Sequence, residues 1–275
     1  MNHKLLLLLL AIYNIATAQT LPAARATDWS LAGYPDTIPT YGHVLDITSY
    51  GAVGDGVAAN DTCIINAIAA LNGGSGTIYF PAGNYFFTQT IYLTDSVVLK
   101  GASADSTTLS FNLNGSNNLI NIGGSLSLPL ALLDSAASKD STYIMLNDAS
   151  DISVGSYLRI SFNDASLLFS SWAYGSVGQV VRVKNVTGNR VELYSPLRRS
   201  YALADNAKVS LITPIVGCGI ECLKIDRLDA SVGQTTNIDI SYAANCWLRG
   251  VESNNCNFAH VALSTSTNIE ITGCY

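Results

Sequence analysis

Apolar residues recur along this chain in two rhythms. A short strand, Val44-Leu45-Asp46-Ile47, runs into Tyr50-Gly51-Ala52-Val53-Gly54-Asp55-Gly56-Val57, whose Gly-Asp-Gly centre marks a turn. Asn60 or Asp61 then caps a helix in which Ile64, Ile65, Ile68 and Leu71 fall on one apolar face, and Asn72-Gly73-Gly74 ends it. Strand signals return at Thr77 to Phe80, Ile91 to Leu93 and Val97 to Gly101. Near the end a repeat emerges. Leu223-x-Ile225-x-x-Leu228 aligns with Cys246-x-Leu248-x-x-Val251 and with Ile269-x-Ile271-x-x-Cys274, each a step of 23 residues. Ile238-x-Ile240 recurs at the same step as Val261-x-Leu263. Asn245 and Asn268 also repeat, where a residue tolerant of left-handed backbone lets the chain turn. Coils of this length, with two or more short strands each and stacked about 4.8 Å apart, are what a parallel β-helix requires.

Residues 135–213 break the rhythm. Val180 to Val186 and Arg190 to Leu193 flank Thr187-Gly188-Asn189, the pattern of a β-hairpin. This stretch reads as a small antiparallel β subdomain inserted into the solenoid, and such insertions tend to emerge on the binding face. The expected fold class is therefore all-β: a parallel β-helix with an N-terminal capping α-helix and an inserted antiparallel subdomain. Its expected parts are residues 1–18, a signal peptide; 19–134, an irregular arm, the cap helix and the first coils; 135–213, the insertion; and 214–275, further coils. Tyr275 follows a core strand with no capping element, which predicts a stack incomplete at its C-terminal end.

Export follows from the first residues. Lys4 supplies a positive flank, Leu5 to Ile12 an apolar core too short to span a bilayer, and Ala16-Thr17-Ala18 a cleavage site before Gln19. The expected location is secreted, whether extracellular, periplasmic or at the cell surface, with no membrane insertion. Only 12% of the residues are charged, about half the usual share, while mean hydropathy is +0.27. Stacked strands tolerate this because uncharged polar side chains form ladders on their outer faces. The net charge of −6 argues against a nucleic-acid partner, and an acidic polysaccharide would need a local basic patch or a bridging cation. Six cysteines in an exported chain permit disulfides, with fifteen connectivities open. Several, Cys246 and Cys274 among them, fall at expected core positions, which favours buried thiols.

The run Tyr50 to Val57, then Asn60-Asp61-Thr62, the apolar helix, and Gly76-Thr77-Ile78-Tyr79-Phe80-Pro81-Ala82-Gly83-Asn84-Tyr85 resembles the opening of the pectate-lyase-like right-handed parallel β-helix family. That family includes polygalacturonases, rhamnogalacturonases, β-1,3-glucanases, uronan epimerases and phage tailspikes. The resemblance covers residues 44–101 closely and the coils at 214–275 more loosely. It implies a right-handed solenoid and a polysaccharide partner, with Ca²⁺ as cofactor if the protein is a lyase. One departure is Asn60-Asp61 in place of the family's acidic pair, in a structural region. Another is that the Asn-Thr-Asp, Asp-Asp and Gly-His-Gly motifs of the polygalacturonase-like members do not occur in this chain.

Candidate chemistry comes from the repeat, because strand residues alternate faces. One outward column would read Lys224, Trp247, Glu270 and the next Asp226, Arg249, Thr272, with Asp229, Glu252 and Tyr275 in phase just beyond. Trp247 would stack on a sugar ring, Lys224 and Arg249 would meet a uronate carboxylate, and Glu270 would complete the groove. Asp229 and Glu252, as neighbours on adjacent coils, would form an acid–base pair for glycoside hydrolysis. His260 would be a proton shuttle. The bland alternatives are a surface ion pair of Asp226 with Arg249, solvated turn carboxylates, and a histidine that only hydrogen-bonds a turn. Elimination would instead need a Lys or Arg base beside the uronate α-proton. The expected function is polysaccharide cleavage by hydrolysis or β-elimination. The alternative is a non-catalytic glycan-binding or surface module; a signal peptide argues against a tailspike-like role.

Overall fold

In the computed structural model, residues 32–229 and 233–275 are described, and they belong to one compact unit, Ala32–Tyr275. The expected signal peptide and the start of the arm lie outside the described residues. Three parallel sheets wind around a common core. The first holds Val44–Asp46, Gly76–Phe80, Val97–Gly101, Gly219–Glu221, Ala243–Arg249 and Thr267–Thr272; the short strand Ile215–Val216 joins it beside Ala243 and Ala244. The second holds Asp55–Ala59, Gly83–Phe87, Thr107–Phe111, Lys224–Arg227 and Glu252–Asn254. The third holds Ile91–Tyr92, Ile120–Gly123, Thr236–Ser241 and Ala259–Ser264. The four middle coils each contribute one strand to every sheet, while the first supplies two strands and the cap helix, so like residues stack inward. Leu45, Ile78, Leu99, Ile220, Leu248 and Ile271 form one ladder, and Ile91, Ile120, Ile238 and Val261 another. Among the described residues no helix is long and apolar enough to cross a membrane.

The cap helix, Asp61–Ala70, closes the first coil with Ile64, Ala67 and Leu71 buried. Ile65 does not share that face; it is 57% exposed, because at 100° per residue position 67, not 65, lies beside 64 and 71. Asn60 does not cap the helix with its side chain. Its amide instead clasps the preceding turn, accepting from the Val53 N–H and donating to Val53 and Ala58 carbonyls. Asp61 reaches the next coil, accepting from the backbone N–H groups of Thr88 and Gln89.

The insertion is a six-stranded antiparallel sheet in the order Tyr143–Met145, Arg190–Leu193, Gly178–Thr187, Tyr157–Ser161, Lys208–Thr213, Ser125–Leu132. The hairpin across Gly188-Asn189 forms as the sequence indicates. It has its own core, with Leu158, Ile160, Val181, Val183, Val191 and Val209 at its centre. The helix resumes beyond it in register, since Leu99 pairs with Ile220 across the whole insertion.

The coil spacing departs from a uniform 23 residues. Cys246 pairs with Ile269 and Ile238 with Val261, both 23-residue steps, and Asn245 and Asn268 both adopt positive φ, at 53° and 55°. The preceding coil takes 28 residues, Ile220 to Leu248 and Ile225 to Ser253. The turn between Arg227 and Thr236 is longer than its counterpart between Asn254 and Ala259, so the phase shifts by five. Leu223 to Leu228 therefore does not lie beside Cys246 to Val251. It belongs to the second sheet, and its apparent match is a coincidence of two inward-facing strands. Leu228 and Cys274, expected in the core, are exposed. All six cysteines are free, with Cys218 and Cys246 buried.

Candidate functional site

On the outer face of the first sheet, Lys100, Glu221, Arg249 and Thr272 form one column. Glu221 is only 4% exposed, yet it is well partnered. Lys100 Nζ stands 3.4 Å from its Oε2, while Arg249 Nη2 and Trp247 Nε1 reach its Oε1 at 2.8 and 2.9 Å. Burial pushes the carboxyl pKa up, but the indole N–H, the Arg249 guanidinium and Lys100 outweigh that and hold it below the ordinary 4.5. A carboxylate depressed in the folded state stabilises above its unfolded pKa and loses that contribution as pH falls. The stability gap between wild type and Glu221→Gln is thus expected to be largest at neutral pH and to shrink below about pH 4.5. Urea titrations at a series of pH values measure it.

Trp247 is no sugar platform. It is fully buried under the N-terminal arm, with Tyr34 edge-on at 5.6 Å and Tyr41 tilted at 6.3 Å. Its indole lies across Gly219 of the preceding coil, where any side chain would collide with the ring. Glu270, its neighbour in register, accepts from the Tyr34 N–H at 3.3 Å. Trp247 and Glu270 therefore serve the seam between arm and first sheet, Arg249 pairs with Glu221 within that sheet, and Lys224 is not among them.

The second sheet presents a mostly polar outer face, partly exposed at Lys224, Asp226 and Glu252. Its outward columns read Asn84, Thr108, Lys224, Glu252 and Phe86, Ser110, Asp226, Asn254. Lys224 Nζ lies 2.9 Å from Glu252 Oε1. Asp226 Oδ1 accepts from Asn255 Nδ2 at 3.0 Å. The structure thus brings together Lys224, Glu252 and Asp226, all partly exposed. Asp226 and Glu252 are diagonal neighbours, one strand over and two residues along, which sets their backbones about 8 Å apart. His260 is exposed on the third sheet and places Nδ1 3.0 Å from Oγ of Ser253, which stands in register with the inward Ile225 and also accepts from the buried Asn237, so it is not part of this outward face.

Asp229 is not beside Glu252. It sits behind the face, in the turn between the second and third sheets, and its Oδ1 is 3.3 Å from Nη1 of the fully buried Arg227. Its Oδ2 accepts from the backbone N–H groups of Leu113 and Gly115. Arg227 occupies an inward rung directly beside Phe111, which stacks on Phe87. Its remaining donors go to Asn237 Oδ1 and the carbonyls of Asn117 and Thr236. With both oxygens engaged inside the turn, Asp229 holds two coils together. The sequence pattern hid this, since it assigns the inward place to Leu228, which is 53% exposed. Among the described residues no three His, Cys, Asp or Glu side chains group to hold a metal ion.

A family profile described as rhamnogalacturonase A/epimerase, pectate lyase-like, matches residues 44–125, under a third of the chain. A search of curated proteins found no match. Among solved structures, the chain is similar to the gp54 tailspike of Acinetobacter baumannii bacteriophage AP22, solved in complex with A. baumannii capsular saccharide, at 20% identity and TM-score 0.66. That match covers 83% of this chain and 36% of the tailspike. It is also similar to tailspike gp49 of Pseudomonas phage LKA1, at 18% identity and TM-score 0.63 over 81% of this chain and 40% of that one. Tailspike gp61 of Pseudomonas phage phi297 gives 13% and 0.62 over 85% and 45%. This chain thus spans less than half the length of each of these proteins. Sheet topology and these neighbours agree that the chain has a parallel β-helix fold, and its opening segment is similar to the rhamnogalacturonase A/epimerase, pectate lyase-like profile.

Proposed function

We propose that the protein is an exported polysaccharide-cleaving enzyme whose reactive face is the outer side of the second sheet. The observation that carries this is the diagonal pair Asp226 and Glu252, outward on adjacent coils and flanked by Lys224 and Asn254. From backbones about 8 Å apart, the two side chains have the reach to set their carboxyl groups at the roughly 6.5–9.5 Å that hydrolysis with inversion requires. One carboxyl group protonates the departing glycosidic oxygen while the other takes a proton from the attacking water, and the anomeric bond passes from sugar oxygen to water oxygen. Support for a saccharide substrate comes from the fold and from the tailspike solved with a capsular saccharide. Export rests on the N-terminal Lys4 to Ala18 pattern.

The test is incubation with pectin, alginate, β-glucan and capsular polysaccharide, following reducing ends together with the ultraviolet absorbance of unsaturated ends. Reducing ends without that absorbance support hydrolysis; both together mean β-elimination. Asp226→Asn and Glu252→Gln are each expected to lower the rate at least about 100-fold while leaving the thermal midpoint nearly unchanged. A non-catalytic glycan-binding role is favoured by one feature: each carboxylate already has a partner, Asn255 or Lys224. Binding without new ends in either assay would establish it.

A further inference from the structure

The inserted sheet has a face that this chemistry does not use. Residues 125–213 contain eight of the chain's 14 Lys and Arg but seven of its 20 Asp and Glu, a net +1 against −7 for the rest. Several of the segment's acids are occupied locally. Asp164 accepts from the N–H groups of Gly175 and Val177, Asp148 from Ser150 and Asp205 from Ala202, while Glu192 pairs with Arg190. The bonds to Gly175 and Val177 hold the Asp164 carboxyl below its ordinary range. Its cations are less engaged: among the described residues Arg159, Arg182 and Lys208 have no carboxylate within ion-pair distance.

Register gathers these cations. Tyr157 stands opposite Arg182, Ser161 opposite Lys208, and Arg159 opposite Ser210, while Leu158, Ile160, Val181 and Val209 between them point into the insertion's core. Tyr157, Arg159, Arg182 and Lys208 therefore share the opposite face. The Arg182 guanidinium lies 5.7 and 5.3 Å from the ring centroids of Tyr157 and Tyr194, which hold it in place. Arg159 donates to the Gly175 carbonyl and so pins the loop at residues 164–177, which presents Phe169 and Trp172 to solvent. Guanidinium and ammonium groups interleaved with open aromatic rings match the two halves of an acidic sugar, a carboxylate and an apolar ring face.

We propose that this face binds an acidic polysaccharide, with Arg182 and Lys208 meeting uronate carboxylates and Trp172 and Tyr194 stacking on sugar rings. The inference deepens, and rests on, the saccharide role given above. A polyuronate is chosen over nucleic acid because it belongs to the ligand class of the saccharide role above, and the DNA arm of the test separates the two. The experiment is affinity electrophoresis of the whole protein in gels containing polygalacturonate, its fully methyl-esterified form, or single-stranded DNA. Retardation by polygalacturonate alone, relieved by salt, is expected. The double variant R182Q/K208Q should weaken it about tenfold or more, Trp172→Ala should weaken it separately, and thermal midpoints should stay unchanged because these side chains are exposed. Unchanged retardation of R182Q/K208Q, equal retardation by the ester, or equal binding of DNA would overturn the proposal. Cleavage of a neutral glucan with no polygalacturonate retardation would remove this inference and leave the saccharide role standing.

Discussion

Replacing Asp229 by alanine is expected to destabilise the protein by about 3–5 kcal/mol, because it strands the buried guanidinium of Arg227 without its counter-charge. The loss extends to the backbone N–H groups of Leu113 and Gly115, which would face the vacated space. Equilibrium unfolding in urea measures the change as a lower midpoint with a similar slope. Activity per folded molecule should be retained. A variant that keeps its midpoint but loses turnover would return Asp229 to the catalytic machinery. Glu252 gives the contrast: its ion pair with Lys224 is partly solvated, so breaking it should cost under about 1 kcal/mol.

Trp247→Ala is expected to cost about 3–5 kcal/mol, as for other large aromatic residues removed from a packed interior. Two further losses accompany the cavity. Glu221 Oε1 gives up the indole N–H, and Tyr34 and Tyr41 give up the ring they pack against. The arm should loosen from the first sheet, which faster amide hydrogen exchange around residues 33–41 would report. If Trp247 were instead an open sugar platform, the same variant would lose glycan affinity while the unfolding midpoint and exchange stayed unchanged.

Local patterns in the sequence carry the winding but not the lateral neighbours. Strands, cap helix, hairpin and inserted sheet all follow from alternation and turn residues read over a few positions. Which strand lies beside which depends on the length of every turn between them, and five extra residues after Arg227 suffice to move Lys224 away from Trp247 and place it beside Glu252. Asp226 and Glu252 were visible as outward carboxylates, but their diagonal placement needed the 28-residue coil. Trp247 looked free because its cover, Tyr34, lies more than 200 residues away and carries no local signal. Arg227 was hidden for the opposite reason: a charged residue next to Asp226 reads as outward until a buried partner is known. The basic face of the insertion joins Tyr157 and Arg159 to Arg182 and Lys208 through three antiparallel strands, a pairing that alternation alone does not specify.

The insertion also bears on the order in which this molecule can assemble. Joining Leu99 to Ile220 directly would mean closing a span of 121 residues, at an entropic cost that grows with the logarithm of its length. Ser125 pairs with Thr213 and Leu126 with Ile212, so the side branch ties its own two ends together. Once that knot is made, the next coil meets the previous one across a short gap, and the branch acts as a splint for the winding it interrupts.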